Sequence, residues 1–332
     1  ISTDYRNSRL VNDLGDSTET MSLFSVDFDV RGDYQVDSNS VSIRFSGGHF
    51  QDLQPDGNST DDRLRYANVG WKSSDQTYSV DVGRQRSRAK GIFGRFDGAV
   101  FGYKVNDNQG LNLVAGYPVA STKSLSLDPE RSFVGVSYDW IDLYADFDMS
   151  LFFIEQSIGD LTDRRAIGGE FKYFKKSSSV YGLIDYDVFY SELNAFLISG
   201  SFTTENSMRY YWSYNQRKSP YISTRNALIG QSSDSLAELQ NLFISDDDIL
   251  DLAVDRTLES KTATFQASKP LNETYDLSAS ITYMDISGAP ASGGVSEIID
   301  TDAQFYMNVY LRASKLYSEK DSNRLGLRLS NL

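Results

Sequence analysis

Cysteine is absent from the 332 residues, and histidine occurs once, at His49. The first absence removes disulfides, thiolate zinc sites, iron–sulfur clusters and thiol catalysis together, and the second removes any site built from several imidazoles. No metal or other cofactor is expected. Basic charge is also in short supply. Lys and Arg number 32 against 46 Asp and Glu, a formal charge of −14, so no broad basic field is available to hold a nucleic acid. Long apolar runs are missing as well: the longest, 151–154 and 195–198, fall far short of the roughly 20 residues a membrane-spanning helix needs. The first residues, Ile1-Ser-Thr-Asp-Tyr-Arg, are polar and have no secretion-signal character, as expected of a mature protein or of a segment of a longer one.

What the chain does have is aromatic residues at 13%, led by 21 Tyr and 19 Phe, within a mean hydropathy of only −0.40. Their arrangement accounts for the combination. Apolar residues recur with period two along almost the entire length, the signature of strands with one greasy and one polar face. Phe24, Val26, Phe28 and Val30 alternate with Ser25, Asp27, Asp29 and Arg31; Ile141 to Leu151 does the same against Asp142, Tyr144, Asp146, Asp148 and Ser150. Equivalent alternation centred on Ile43, Val69, Val80, Phe101, Leu113, Val136, Phe171, Ile184, Ala195, Tyr210, Phe265, Ala279, Met307 and Leu327 brings the expected total to about sixteen strands. Turn formers such as Ser73-Ser-Asp-Gln and Asn106-Asp-Asn-Gln separate many of them, so consecutive strands are expected to be antiparallel.

The segment 218–260 departs from this pattern. Ser235-Leu-Ala-Glu238 and Ser245-Asp-Asp-Asp248 read as successive helix caps, each followed by an apolar set: Leu239, Leu242 and Phe243, then Ile249, Leu250 and Ala253. A helical insertion is expected there, either reaching into a pore or capping the surface. It interrupts what otherwise reads as a single domain over 1–332.

An antiparallel sheet of this size leaves costly edges unless it closes, and closure is compulsory in hydrocarbon. A transmembrane, up-and-down all-β barrel therefore fits better than a soluble sandwich or propeller. Tyr34, Trp71, Tyr78, Tyr117, Tyr138, Trp140, Tyr173, Tyr190 and Tyr283, near strand ends, suit interfacial aromatic girdles. In these features the chain resembles bacterial outer-membrane β-barrels of the porin and export-conduit type. The tail Gly326-Leu-Arg-Leu-Ser-Asn-Leu332 resembles the terminal assembly signal of that class, although it ends in leucine rather than an aromatic residue. Such barrels have an even strand count. Sixteen satisfies it but puts most long connectors on the periplasmic side; adding 1–10 and 221–229 gives eighteen and moves those of the first half outward, although both segments alternate poorly.

If the apolar rows meet lipid, the polar rows line water. Lumen candidates are then Asp27, Asp29, Asp142, Asp146, Asp148, Asp185 and Asp187, with Arg31, Arg44, Arg65, Arg209 and Arg312. The densest basic cluster, Arg84, Arg86, Arg88, Lys90 and Arg95, admits two readings: folded inward as a constriction opposed by the acids of 142–148, or folded outward against lipopolysaccharide phosphates. His49 is expected at a polar rim, and no serine marks a catalytic partner for it. The expectation is a non-enzymatic channel in a Gram-negative outer membrane, passing small hydrophilic solutes or an exported polysaccharide. The alternative is a barrel anchor for a periplasmic or surface protein. The resemblance also leaves open that the barrel is the C-terminal domain of a longer exporter.

Overall fold

A computed structural model describes residues 1–331 except 12–16, 55–58, 87–89, 145, 234 and 243–244, and except the side chains of Val11, Thr18 and Glu19. The described chain is all-β apart from one insertion, and it divides into two compact units, Ile1–Val136 and Ser137–Leu332. The first unit holds β1 (Ser2–Val11), β2 (Ser17–Val36), β3 (Asn39–Asp52), β4 (Thr60–Lys72), β5 (Tyr78–Gln85), β6 (Arg95–Asn106) and β7 (Gln109–Val119). Strand β8 (Arg131–Trp140) spans the boundary. The second unit holds β9 (Phe147–Ile158), β10 (Leu161–Lys175), β11 (Ser178–Asp187), β12 (Glu192–Thr203) and β13 (Arg209–Ser219), then β14 (Leu258–Pro270), β15 (Tyr275–Ile286), β16 (Thr301–Ser314) and β17 (Ser322–Asn331).

Within each unit the strands form a continuous antiparallel meander, β1 through β7 and β9 through β17. Connectors follow a rule. In the first unit those after even-numbered strands, 37–38, 73–77 and 107–108, are tight, whereas those after β3, β5 and β7 span 53–59, 86–94 and 120–130. In the second unit the even-strand connectors 176–177, 204–208, 271–274 and 315–321 have two to seven residues, and the odd-strand side carries 220–257 and 287–300 together with the tight 159–160 and 188–191. Local chemistry explains the tight ones. Asp37 and Ser38 both take positive φ, 48° and 69°, the conformation that matches strand twist in a two-residue hairpin. At 73–77 the Asp75 carboxylate accepts from Ser73 Oγ at 2.6 Å and from the Thr77 N–H at 3.0 Å, which holds its pKa down at about 2.

The described residues form seventeen strands, within the expected range of sixteen to eighteen. Residues 2–11 do form a strand despite their polar sequence, because each residue from Ser2 to Ser8 pairs with one of β2. Residues 221–229 do not; they contain a 3-10 turn, Thr224–Leu228. The expected long strand at 141–151 begins only at Phe147, since Asp142 and Asp146 take positive φ and turn the chain.

The alternation survives folding with an inverted burial pattern. Apolar rows are the exposed ones: Val82 is 52% exposed, Phe265 48%, Ile281 48% and Leu327 60%, while polar-row residues such as Ser46 at 2% and Asp185 at 0% are covered. Cross-strand aromatic pairs such as Phe28–Phe45, with centroids 5.2 Å apart, and Tyr78–Tyr103, at 5.4 Å, stiffen the apolar face. Tyr34, Trp71 and Tyr78 lie exposed beside tight turns, as the girdle reading expects, whereas Tyr190 is packed beneath the insertion.

Candidate functional site

The polar face of the first unit carries an arginine–aspartate network. Asp29 receives Arg31 at 2.9 Å and Arg44 at 3.3 Å, and the Arg44 guanidinium lies 3.6 Å over the ring of Tyr66. A bulge in β4 makes the next link. The register steps from Ser46↔Tyr66 to Gly47↔Leu64, leaving Arg65 as the extra residue, and Arg65 is thereby aimed at Asp27 with which it pairs. Arg95 approaches the same Tyr66 ring at 5.6 Å. Part of the 86–94 connector also lies over this face: Ile92 packs on the buried cluster of Phe96, Val114 and Phe133.

The expected basic cluster is split by the fold. Arg84 is not on the polar face. It is cross-strand from Ala67 and Asp97, in the row that includes Val82, Ala99 and Ala115, and is only 3% exposed. Its guanidinium grips Asp97 bidentately at 2.8 and 2.6 Å and donates to the Ser124 carbonyl at 2.5 Å, so connector 120–130 seals the pair against the apolar face. Arg86 is exposed and Lys90 half-buried in their connector, and Arg88 lies outside the described residues.

In the second unit the insertion packs on the polar face of β9 to β12 at one end, around Ile158 to Asp163 and Tyr190 to Asn194. Helix α1 (Leu236–Gln240) and helix α2 (Asp246–Asp255) start at the expected serines: Ser235 accepts from the Glu238 N–H, and Ser245 forms a reciprocal capping box with Asp248. Leu236, Leu239, Ile249, Leu252 and Ala253 pack on Ile158, Leu161 and Tyr190. Leu242 is instead 68% exposed, and Phe243 lies outside the described residues.

Two bulges hold this insertion down. The register steps from Thr162↔Ser157 to Arg164↔Gln156 in β10 and from Asp185↔Ala195 to Tyr186↔Leu193 in β12, so Asp163 and Asn194 are the extra residues, both 0% exposed. Asp163 accepts the Arg225 N–H at 3.1 Å, and Asn194 accepts the Ile222 N–H at 2.9 Å. Between them Thr224 donates to the Thr162 carbonyl at 2.6 Å and accepts from the Tyr190 hydroxyl at 2.6 Å; burial pushes the Tyr190 phenol above its usual range. No sequence motif marks Asp163 or Asn194. The only signal is a slip in alternation.

Several acidic candidates therefore do not line open water. Asp185 is buried against Arg164 and Asn194, and Asp187 is spent on the backbone N–H groups of Phe189 and Tyr190, each at 2.9 Å. Asp142 and Asp146 belong to a tight turn in which Asp142 accepts the Asp146 N–H, and the Asp148 carboxylate closes the same turn by accepting the Asp142 N–H at 2.9 Å. His49 is cross-strand from Asp62, 2.8 Å away, at the start of a long connector. On β16 and β17 the polar row forms an arginine–tyrosine ladder: Arg324 lies 3.8 Å over Tyr310 and Arg328 5.1 Å over Tyr306. Arg324 precedes Leu325 and Arg328 lies between Leu327 and Leu329, positions where the period-two reading places polar-face residues.

No family model and no curated protein matches the chain. Among solved structures it is similar to Occ/Opd outer-membrane porins of Pseudomonas and Acinetobacter. For Pseudomonas aeruginosa OccD3 (OpdP) the identity is 8% and the TM-score 0.47, over 99% of this chain and 84% of the other. For the outer membrane protein opdK of the same organism the values are 11% and 0.47, over 99% and 97%. For Acinetobacter baumannii OccAB4 they are 11% and 0.43, over 98% and 95%.

Proposed function

We propose that the strands close into a barrel in a Gram-negative outer membrane and that the protein is a passive channel, without enzymatic activity, for small hydrophilic solutes. One observation carries this reading: the rows left exposed are apolar, while arginines, aspartates and tyrosines occupy the opposite face. A water-soluble protein buries its apolar rows, because about 25 cal/mol per Å² is gained by removing them from water. Rows of Val, Ile, Leu and Phe that remain open are at rest against acyl chains. The polar face then surrounds water, and the paired guanidinium and carboxylate groups along it set charge preference. Within each unit every connector longer than seven residues follows an odd-numbered strand, the asymmetry expected between the outer loops and periplasmic turns of such barrels.

Single-channel recording of the refolded protein in planar lipid bilayers tests the proposal. Ohmic steps at all moderate voltages are the expected result. A correctly folded, inserted protein that stays silent overturns the channel and leaves an anchoring barrel in its place.

A further inference from the structure

The apolar face of β9 to β12 is not flat. It holds a concave groove of about 540 Å³, floored by Gly169 and walled by Phe147, Leu151, Phe171, Ile184 and Phe196. Its shape is built into the sequence. A Cβ on Gly182 would lie 2.1 Å from the Phe171 ring, so glycine there lets that ring lie against the strand, stacked with Phe147 at a centroid distance of 5.8 Å. At Gly169 the missing side chain leaves the depression between Leu151 and Ile184, cross-strand neighbours on either side.

The two ends of the groove differ in charge. Beyond Ile167, toward the start of β10, Arg165 is locked to Glu155 at 2.7 Å and is neutralised. The opposite end leads past Tyr173 to Lys175 and Lys176, both exposed and without an ion-pair partner among the described residues. Phe171 and Lys175 are separated by about 13 Å at strand rise, the scale on which a headgroup sits above the first segment of its acyl chain. The neighbouring turn brings an opposite charge to the same place. The Phe174 N–H donates to the Asp146 carbonyl at 3.3 Å, which brings the exposed Asp146 to the residue that precedes Lys175, and no salt bridge joins it to either lysine among the described residues.

We infer that this groove holds one acyl chain of a glycerophospholipid with a primary-amine headgroup, its phosphate at Lys175 and Lys176 and its ammonium at Asp146. The inference rests on the membrane reading above, and goes beyond it by naming a lipid and a place. Lysine supplies point charges for a phosphate, and a carboxylate at the same mouth favours an ammonium that can donate hydrogen bonds over a quaternary one. A purely anionic headgroup satisfies the lysines and is repelled by Asp146.

Native mass spectrometry after release from bilayers of equimolar phosphatidylethanolamine, phosphatidylcholine and phosphatidylglycerol provides the test. One phosphatidylethanolamine per chain is expected, retained about tenfold over phosphatidylcholine. The double variant K175Q/K176Q is expected to lose that preference, and Ile184→Trp, which fills the groove with a side chain suited to lipid, to lose retained lipid altogether. Circular dichroism confirms that each variant keeps its strands. Equal retention of the three lipids, preference for phosphatidylglycerol, or unchanged retention by both variants overturns the inference. So does a lipid-free dimer that Ile184→Trp dissociates, which assigns the groove to a second copy. A chain that is native and monomeric in detergent-free buffer defeats the membrane reading itself, whereas an inserted, conducting barrel with no retained lipid defeats the groove alone.

Discussion

Arg84 shows how far one residue's role depends on strand phase. In the sequence it heads a run of basic residues, and proximity along the chain assigned it to the same surface as Arg86 and Arg95. Phase decides otherwise, because Arg84 is two residues from Val82 and therefore shares its face. A lone arginine in an apolar row is costly; here Asp97, cross-strand and in the same row, accepts from its Nε and Nη2, and the Ser124 carbonyl accepts from its Nη1. Removing one member of such a pair strands the other. Arg84→Met is expected to lower unfolding stability in lipid vesicles by about 3 kcal/mol, and the double variant R84M/D97A to recover most of it. Urea titration of the four variants measures this, and a double variant as unstable as the sum of the singles refutes the pairing argument. The register Val82↔Ala99, Arg84↔Asp97 was readable from alternation; what hid it was the charge clustering, which is a property of the chain rather than of the face.

At the scale of elements, legibility follows from whether the signal is local. The insertion's caps were readable because Ser245 and Asp248 bond to each other three residues apart, a contact complete within one turn. Its anchorage was not, since Asp163 and Asn194 act through bulges that exist only once β9 is paired with β10 and β11 with β12. Strand β1 makes the same point from the other side: its polar sequence hides a strand that pairing with β2 creates. The anchorage has a consequence for conduction. A helix with its side chains is about 10–12 Å wide, so under the channel reading a helical segment anchored on the polar face at Asp163 and Asn194 is expected to take cross-section from water and ions. Replacing 229–256 by a short Gly-Ser linker is expected to raise single-channel conductance about twofold or more, since conductance scales with open area. Asn194→Ala, which leaves the Ile222 N–H without its acceptor, is expected to give noisy current between the two levels. A deletion variant with wild-type conductance places the insertion outside the conduction path.

For the molecule as a whole, two rows of opposite chemistry run along most strands, and the function proposed follows from which row meets which solvent. Alternation was plain in the sequence because Val, Ile, Leu and Phe repeat at every second position, but alternation alone is shared with soluble sandwiches. Exposure separates the two cases, and exposure is a property of the folded sheet. Strand β15 allows a decisive comparison between adjacent residues. Ile281 is 48% exposed in the apolar row, cross-strand from Phe265 and Met307; Ser280 is its neighbour in the polar row, cross-strand from Gln266 and Asn308. Both lie near the middle of the strand, where a barrel crosses the bilayer centre. Ile281→Arg is expected to cost about 2–4 kcal/mol of stability in vesicles, the penalty for a guanidinium at the midplane. Ser280→Arg is expected to leave stability within about 0.5 kcal/mol, the usual range for a solvated surface position, while shifting the reversal potential toward anions. Unfolding titrations and ion-gradient recordings on the two variants read these outcomes. If the two arginines cost the same, the faces do not see different solvents, and neither the barrel nor the channel survives.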